Sequence, residues 1–418
     1  MTNPTGVGNF EYTVDRYYYT RERRFEQSID VYRPVSSTQR NNGHDTKERQ
    51  SSKIPVILVM GSAWLGHKPY FYAMTNWWNS SAPKQICGKL GHPCVSIRHS
   101  GGYFFGSEKN CSSSYSTKSW VLCLASLTVS TIAVGVKVNL ISLSLNMKSV
   151  IAAVFLIWYQ HRMGAAGIDE MVSDVSTALG YIDAHAHELG LSTLSKTDAI
   201  DGNKIPVVFG GYSSGAHVAA TLLTGSNLSP IASSLDEDSN QKLKHITIHS
   251  VLYISGVLDV PPESFVMTML SRVVLRKLPS EVPSPLRTLL LHQHAASHEE
   301  GTNHKTTDGQ HKLPQLVSLP PHILIGCQRE VFGWSVLDSA FCASEYANSL
   351  RLYRSGSRQK GKTSIVTVDA DKSNENDNAF VRLILLKGWS VNHWSILSSA
   401  VLRNALQKVL TDKGANRR

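Results

Sequence analysis

Cysteine is scarce in this chain of 418 residues, and no two cysteines form a C-x-x-C pair. A small secreted scaffold framed by disulfides needs a much denser cysteine pattern, and structural zinc sites usually draw on closely paired cysteines. Both classes are excluded. The six cysteines are Cys87, Cys94, Cys111, Cys123, Cys327 and Cys342.

A concentrated basic surface is also lacking, although the formal net charge is +10. Lys and Arg are dispersed, apart from the segment 21–24 and the segment 351–362. Neither segment forms a basic helix with interleaved aromatic residues, and no nucleic-acid fold signature is present. We therefore expect a solvated surface with a modest positive excess and no nucleic-acid partner.

The first 19 residues lack the apolar core and the small-residue cleavage site of a secretory signal. The segment 292–312 is rich in histidine, but its histidines are irregularly spaced and no ligand pattern joins them. The sequence thus predicts a solvated loop there, no resident metal and no cofactor. The five histidines are His292, His294, His298, His304 and His311.

Short apolar runs alternate with amphipathic helical patterns along the chain. This alternation is typical of a mostly parallel sheet with helices on both faces, an α/β fold. The strands are predicted at Ile54–Met60, Cys94–Arg98, Ile205–Phe209, Ser250–Ile254, His322–Ile325 and Val381–Leu386, with an antiparallel edge strand at Gln27–Tyr32. The helices are predicted at Phe71–Trp78, Ile168–Leu189, Ser214–Leu223, Val336–Leu350 and Trp394–Leu410.

The sharpest local motif is a G-x-S-x-G at residues 211–215. An apolar strand runs into it and a helix of small residues runs out, which is the setting of a nucleophile elbow. Gly211 and Gly215 would let neighbouring backbone segments come close, so that Ser213 Oγ stands above the carboxyl edge of the sheet. The alternative is a glycine-rich turn with structural serines.

A serine nucleophile needs a base and an orienting acid, which follow it in the order Ser, acid, His in such a fold. His393 comes after the last predicted strand, where the catalytic histidine belongs. Glu330 is the carboxylate in the loop after the penultimate strand, and Asp338 is its rival. Asp338 could instead be a helix N-cap. His217 on the elbow helix is expected to be a packing or surface residue.

Acyl transfer also requires backbone donors for the tetrahedral oxyanion. One donor would be the N–H of Ser214, the residue after the nucleophile, and another comes from the loop after the first parallel strand. In that loop, residues 61–63 are small and would allow close approach to a carbonyl group. A plain turn between strand and helix is the alternative.

The segment Met60-Gly-Ser-Ala-Trp64 resembles the His-Gly-Gly-X-Trp motif of the esterase/lipase and kynurenine formamidase branch of α/β-hydrolases. Together with the segment 27–34 and the Ser213 elbow, it makes the chain most similar to isoprenylcysteine α-carbonyl methylesterase-like proteins. The resemblance implies oxyanion donors at Ser62, Ala63 and Ser214. This chain departs from the motif at Met60, where the family has His, and at Ser62, where it has Gly.

A stretch with few charges interrupts this pattern, since residues 119–160 carry only Lys137 and Lys148. The sequence therefore predicts a discontinuous catalytic domain at 25–105 and 165–412, an apolar helical insertion at 106–164 and an N-terminal extension at 1–24. The insertion is interpreted either as a membrane hairpin or as a cap over the pocket of a soluble enzyme. A membrane-bound form is expected on endomembranes with its catalytic domain cytosolic, whereas the capped form would be cytoplasmic.

The leading hypothesis is a serine carboxylesterase that acts on a hydrophobic ester, with a prenylcysteine methyl ester at a lipidated protein C-terminus as the candidate substrate. An arylformamidase that hydrolyses an amide is the enzymatic alternative. The departures at Met60 and Ser62 motivate a third hypothesis, a catalytically inactive, membrane-associated binding protein of the same fold.

Overall fold

Eight strands form one sheet in the order β1-β2-β4-β3-β5-β6-β7-β8. The computed structural model describes residues 10–35, 53–64, 66–67, 80–101, 167–191, 204–225, 243–260, 268, 271–275, 277–278, 280–291, 319–327, 339–356, 381–386 and 395–411. β1 and β2 pair antiparallel with each other, and β2 pairs antiparallel with β4. From β4 to β8 every pairing is parallel. This order and these directions are those of the α/β-hydrolase fold.

The strands are β1 Tyr12–Tyr18, β2 Ser28–Pro34, β3 Val56–Val59, β4 Cys94–Ile97, β5 Ile205–Tyr212, β6 Ile246–Ile254, β7 His322–Cys327 and β8 Val381–Leu386. The described helices are α1 80–88, α2 Ile168–Ala184, α3 Ser214–Thr224, α4 285–291, α5 Ser339–Gly356 and α6 Ala400–Thr411. Short turns of other helix types lie at Phe25–Gln27, Ser271–Leu275 and Ile396–Ser398.

The sheet is buried on both faces, as its near-continuous apolar strands predict. In β3, Ile57 and Val59 belong to one core cluster, with residues of α2, α3 and α5. Their neighbours Val56 and Leu58 belong to the other cluster, with residues of α1 and α6. Since side chains alternate across a strand, one short apolar run supplies both cores.

The antiparallel strand predicted at Gln27–Tyr32 is present as β2, but the prediction that it forms the edge was wrong. β1 pairs with its outer side and is mostly exposed. Residues 12–18 of the predicted N-terminal extension at 1–24 thus form β1 and are part of the sheet. β1 shows no clear apolar alternation, because exposed residues lie on both of its faces.

The final helix begins later than the predicted Trp394. A 3₁₀ turn at Ile396–Ser398 comes first, and α6 starts at Ala400. Ser399 Oγ accepts a hydrogen bond of 3.0 Å from the backbone N–H of Leu402. This is the capping role that serine commonly plays at a helix N-terminus, and it sets the start of α6.

Two predicted segments lie outside the described residues: the helix at Phe71–Trp78 and the apolar insertion at 106–164. Among the helices that the structure describes, none combines the length and the apolar character needed to cross a membrane. The role of the stretch 119–160 therefore stays a prediction.

Candidate active site

Ser213 lies at the turn between β5 and α3, where its backbone has φ 55° and ψ −126°. A non-glycine residue in this region is strained, and such strain persists only where the surroundings hold it. Here the Ser213 N–H donates to the Ile254 carbonyl at 3.0 Å, and the Ser213 carbonyl accepts from Ala216 at 3.1 Å. Ser213 keeps 9% of its surface exposed, so a strained serine stands at the rim of the sheet.

The two glycines of the motif are required by close backbone approaches. A Cβ atom on Gly215 would lie 2.2 Å from the Val59 carbonyl oxygen of the neighbouring strand β3. A Cβ atom on Gly211 would lie 2.6 Å from the backbone of Gly215 and Ala216. The helix thus leaves the strand in a turn too tight for side chains at these two positions, which is the geometry of a nucleophile elbow.

The loop after β3 reaches the nucleophile directly. A Cβ atom on Gly61 would lie 2.8 Å from Ser213 Cβ and 2.7 Å from the Tyr212 carbonyl oxygen. Next along the loop, Ser62 is buried and Ala63 is exposed. The structure therefore brings the predicted oxyanion loop against the predicted nucleophile.

The three predicted oxyanion donors differ in their surroundings. The Ser62 N–H donates to Ser214 Oγ at 3.0 Å, so it would reach a substrate oxygen only by leaving that partner. The Ser214 N–H belongs to the first turn of α3, where N–H groups have no acceptor inside the helix. Ala63 has φ 50°, a left-handed conformation that turns the loop at this point.

The same loop is fixed from the other side by the segment that follows β4. The His67 N–H donates to the His99 carbonyl at 3.2 Å, and their imidazole rings form an edge-to-face pair at 4.9 Å. Burial lowers the pKa of both imidazoles below the usual value. Asp174 on α2 in turn accepts the Ser100 N–H at 2.8 Å. The predicted oxyanion loop is thus held between α3 and this second loop.

The other predicted triad members, Glu330, Asp338 and His393, lie outside the described residues. The described strands end shortly before them in the sequence: β7 at Cys327 and β8 at Leu386. Their roles stay predictions. Within the described part of the chain, no group of three or more His, Cys, Asp or Glu side chains could hold a metal ion.

His217, for which the sequence predicts a packing or surface role, makes two specific polar contacts. It is fully buried on α3, one helical turn after Ser213. Its Nδ1 accepts a hydrogen bond of 2.9 Å from the indole Nε1–H of Trp64, and its Nε2 lies 2.7 Å from the Pro283 carbonyl oxygen. A G-x-S-x-G-x-H spacing combined with a Trp at the end of the oxyanion loop is the signal that could have suggested this contact.

Two buried histidines should make the stability of the protein sensitive to mild acid. Burial is the main cause that lowers the pKa of both His217 and His322 to about 4. The unfolded chain, with a histidine pKa near 6.5, then binds more protons between these values, so stability falls as the pH drops from about 6.5 to about 4. At pH 5 each histidine is expected to cost about 2 kcal/mol relative to pH 7.

Urea unfolding of the wild-type protein and of His322→Gln at pH 7, 6 and 5 checks this prediction. The variant should lose less stability over this interval, because its side chain does not titrate. Parallel curves for the two proteins would contradict it.

Neither a family model nor a curated protein matches this chain. Solved structures that it is similar to include esterase B from Lactobacillus rhamnosis, at 11% identity and a TM-score of 0.45, over 98% of this chain and 88% of that one. An esterase from Pyrobaculum calidifontis has 11% identity and a TM-score of 0.43, over 98% of this chain and 86% of that one. A bacterial heroin esterase has 14% identity and a TM-score of 0.42, over 97% of this chain and 85% of that one. The fold follows from the strand order described above, independently of these likenesses.

Proposed function

We propose that this protein is a serine hydrolase that cleaves carboxylic esters through an acyl-enzyme at Ser213. The observation that carries the proposal is the strained Ser213 at the strand-to-helix turn, with the loop of Gly61 packed against it. A turn of this kind exposes a nucleophile at the carboxyl edge of the sheet, where the N–H groups of an adjoining loop can meet a developing oxyanion.

In this mechanism Ser213 Oγ attacks the carbonyl carbon of the ester while His393 accepts the hydroxyl proton. Glu330 orients His393, with Asp338 as the other candidate for that role. The N–H groups of Ala63 and Ser214 stabilise the oxyanion. Collapse of the tetrahedral intermediate breaks the bond to the alcohol, which leaves with the proton from His393. Water then gives a proton to His393 and attacks the acyl carbon; the bond to Ser213 Oγ breaks, Oγ takes that proton back, and the acid is released.

The substrate class is a finer proposal. A hydrophobic ester, with a prenylcysteine methyl ester as the specific candidate, is supported by the resemblance of residues 60–64 to the methylesterase-like motif and by the apolar stretch 119–160. That stretch would bring the enzyme to a membrane or cover its pocket. Side-by-side assays of methyl esters, of an N-formyl aromatic amide and of short-chain aryl esters separate the esterase from the formamidase alternative.

A second function is favoured by one contact in the site. Because the Ser62 N–H already donates to Ser214 Oγ, one predicted oxyanion donor is engaged, as would suit a binding protein without catalytic activity. Exposure of the purified protein to a fluorophosphonate probe decides between the two. Covalent labelling at Ser213, located by peptide mass spectrometry, is expected for the hydrolase; an unlabelled, folded protein would favour the binding protein.

The same labelling, carried out on membrane and soluble fractions of expressing cells, tests where the protein resides. Recovery of the labelled chain in the membrane fraction, released by detergent and not by salt, is expected for an inserted 119–160 stretch. Release by salt alone would point to surface charge instead, and recovery in the soluble fraction would favour the cap.

A further inference from the structure

The loop that meets Ser213 contains two consecutive non-glycine residues in the left-handed backbone region. Ala63 has φ 50° and Trp64 has φ 60°. Each such residue costs about 1–2 kcal/mol relative to an ordinary conformation. Strain of this size persists only where the surrounding structure fixes the conformation. The loop therefore needs a firm anchor, and Trp64, which is 2% exposed, is the buried side chain within the strained pair.

Trp64 is anchored on the elbow helix by His217. The indole Nε1–H can only donate, so His217 Nδ1, at 2.9 Å, must carry the lone pair. The proton of the neutral imidazole then lies on Nε2, which donates to the Pro283 carbonyl at 2.7 Å. The two rings also meet edge to face, with centroids 5.6 Å apart. Both nitrogens of this buried imidazole are thus satisfied, and its orientation and tautomer are fixed.

His217 and Ser213 belong to the same short rigid unit. His217 lies four residues after Ser213, and its backbone N–H donates to the Ser213 carbonyl at 3.4 Å. The helix that presents the nucleophile therefore also holds the loop that presents the oxyanion donors. The loop makes a second contact with α3, in which the Ser62 N–H donates to Ser214 Oγ at the first residue of the helix.

We propose that His217 is a positioning residue for the oxyanion loop: by holding the indole of Trp64, it fixes the backbone of Ala63 at the distance from Ser213 that the tetrahedral intermediate requires. This inference rests on the proposed function, because it presupposes that Ser213 is acylated. His217 itself does not touch the substrate. Its effect is exerted through Trp64, and its loss should lower the rate of the chemical step while leaving ground-state binding nearly intact.

The test uses the full-length protein and variants that remove the contact from either side. Trp64→Phe keeps an aromatic ring but removes the donor, and His217→Leu keeps the approximate volume but removes both polar atoms. His217→Gln retains one acceptor and one donor. His322→Gln is the matched control, since His322 is equally buried and lies at the first residue of β7, away from the elbow and its loop.

Three quantities are measured: the fluorophosphonate labelling rate of Ser213, and kcat and KM for a short-chain aryl ester. Trp64→Phe and His217→Leu are expected to lower both the labelling rate and kcat by roughly 10- to 100-fold, with KM changed by less than about 3-fold. His217→Gln should recover part of this loss, and His322→Gln should keep the wild-type rates. If His217→Leu fails to fold, Trp64→Phe still supplies the measurement.

The double variant Trp64→Phe/His217→Leu identifies the shared contact, because residues that act through one contact are not additive. The labelling rate and kcat of the double variant should fall no further than those of the more impaired single variant. A fold-decrease in the labelling rate and kcat equal to the product of the two single fold-decreases would overturn the proposal. Wild-type rates in Trp64→Phe would also overturn it, whether or not the thermal stability of that variant is changed. An unlabelled wild-type protein would instead overturn the proposed function, so the two failures are distinguishable.

Discussion

Replacing Ser213 by alanine is expected to lower ester hydrolysis by roughly 10⁴-fold or more and to abolish fluorophosphonate labelling. Alanine lacks the Oγ that forms the acyl bond, so the covalent route is closed. It keeps the Cβ atom, however, and thus meets the same backbone strain at φ 55° that serine meets. The variant should therefore fold with nearly unchanged stability, which separates a loss of chemistry from a loss of structure.

Ser255→Ala is the matched control for this substitution. Ser255 is a second buried serine with positive φ, 44°, and it follows the neighbouring strand β6. Its Oγ lies 3.4 Å from Cys327 Sγ. We expect Ser255→Ala to remain labelled at Ser213. Hydrolysis that persists undiminished in Ser213→Ala would mean that another group performs the chemistry.

The substitution Asp30→Asn is expected to destabilise the protein by about 3–5 kcal/mol, because it removes the charge of the carboxylate that forms an ion pair with the buried Arg98 guanidinium. Arg98, the residue after β4, is fully buried and forms an ion pair with Asp30 of β2. Its Nη1 also donates to Ser28 Oγ at 2.8 Å. Arg16 of β1 contacts the same carboxylate, with its Nε 2.8 Å from Asp30 Oδ1. The Asp30 carboxylate therefore links β1 and β2 to the segment that follows β4, which in turn contacts the loop of the candidate site.

Asp15→Asn provides the control on the same pair of outer strands. Asp15 forms an ion pair with Arg33, but its side chain is 51% exposed. Exposed pairs of this kind contribute about 0–1 kcal/mol, so this variant should stay close to the wild type. Urea denaturation at pH 7 compares the two free energies of unfolding. The expectation would be contradicted if Asp30→Asn lowered the free energy of unfolding by no more than Asp15→Asn does.

Much of the sheet could be predicted because its strands are buried on both faces. β8 matches its predicted bounds, and β7 extends the predicted His322–Ile325 by only two residues. Uninterrupted apolar runs of this kind are a strong local signal. β1 gave no such signal, since most of its residues face solvent. Its place in the sheet depends on pairing with β2, and that pairing is not encoded in a local period.

The candidate site divides in the same way. The glycine spacing around Ser213 predicts the tight strand-to-helix turn that the structure contains, because close backbone approaches on both sides of the serine require glycine at these two positions. That Ser213 is a nucleophile stays a prediction. The contact between His217 and Trp64 was not predicted, because the G-x-S-x-G-x-H spacing alone does not show which residue His217 meets. The two residues are 153 residues apart in the chain, and the bond between them exists only because β3 and β5 are neighbours in the sheet.

Local patterns were enough to predict the class of the fold, the tight turn at Ser213 and the small residues of the loop after β3, since each depends on neighbours within a few positions. Three other features became visible only in the folded chain: the edge strand, the hydrogen bond from the Ser62 N–H to Ser214 Oγ, and the hydrogen bond from Trp64 to His217. These depend on which backbone segments meet across the sheet. A hydrogen bond requires a particular distance and direction between donor and acceptor, and local sequence patterns do not show which distant segments meet that requirement.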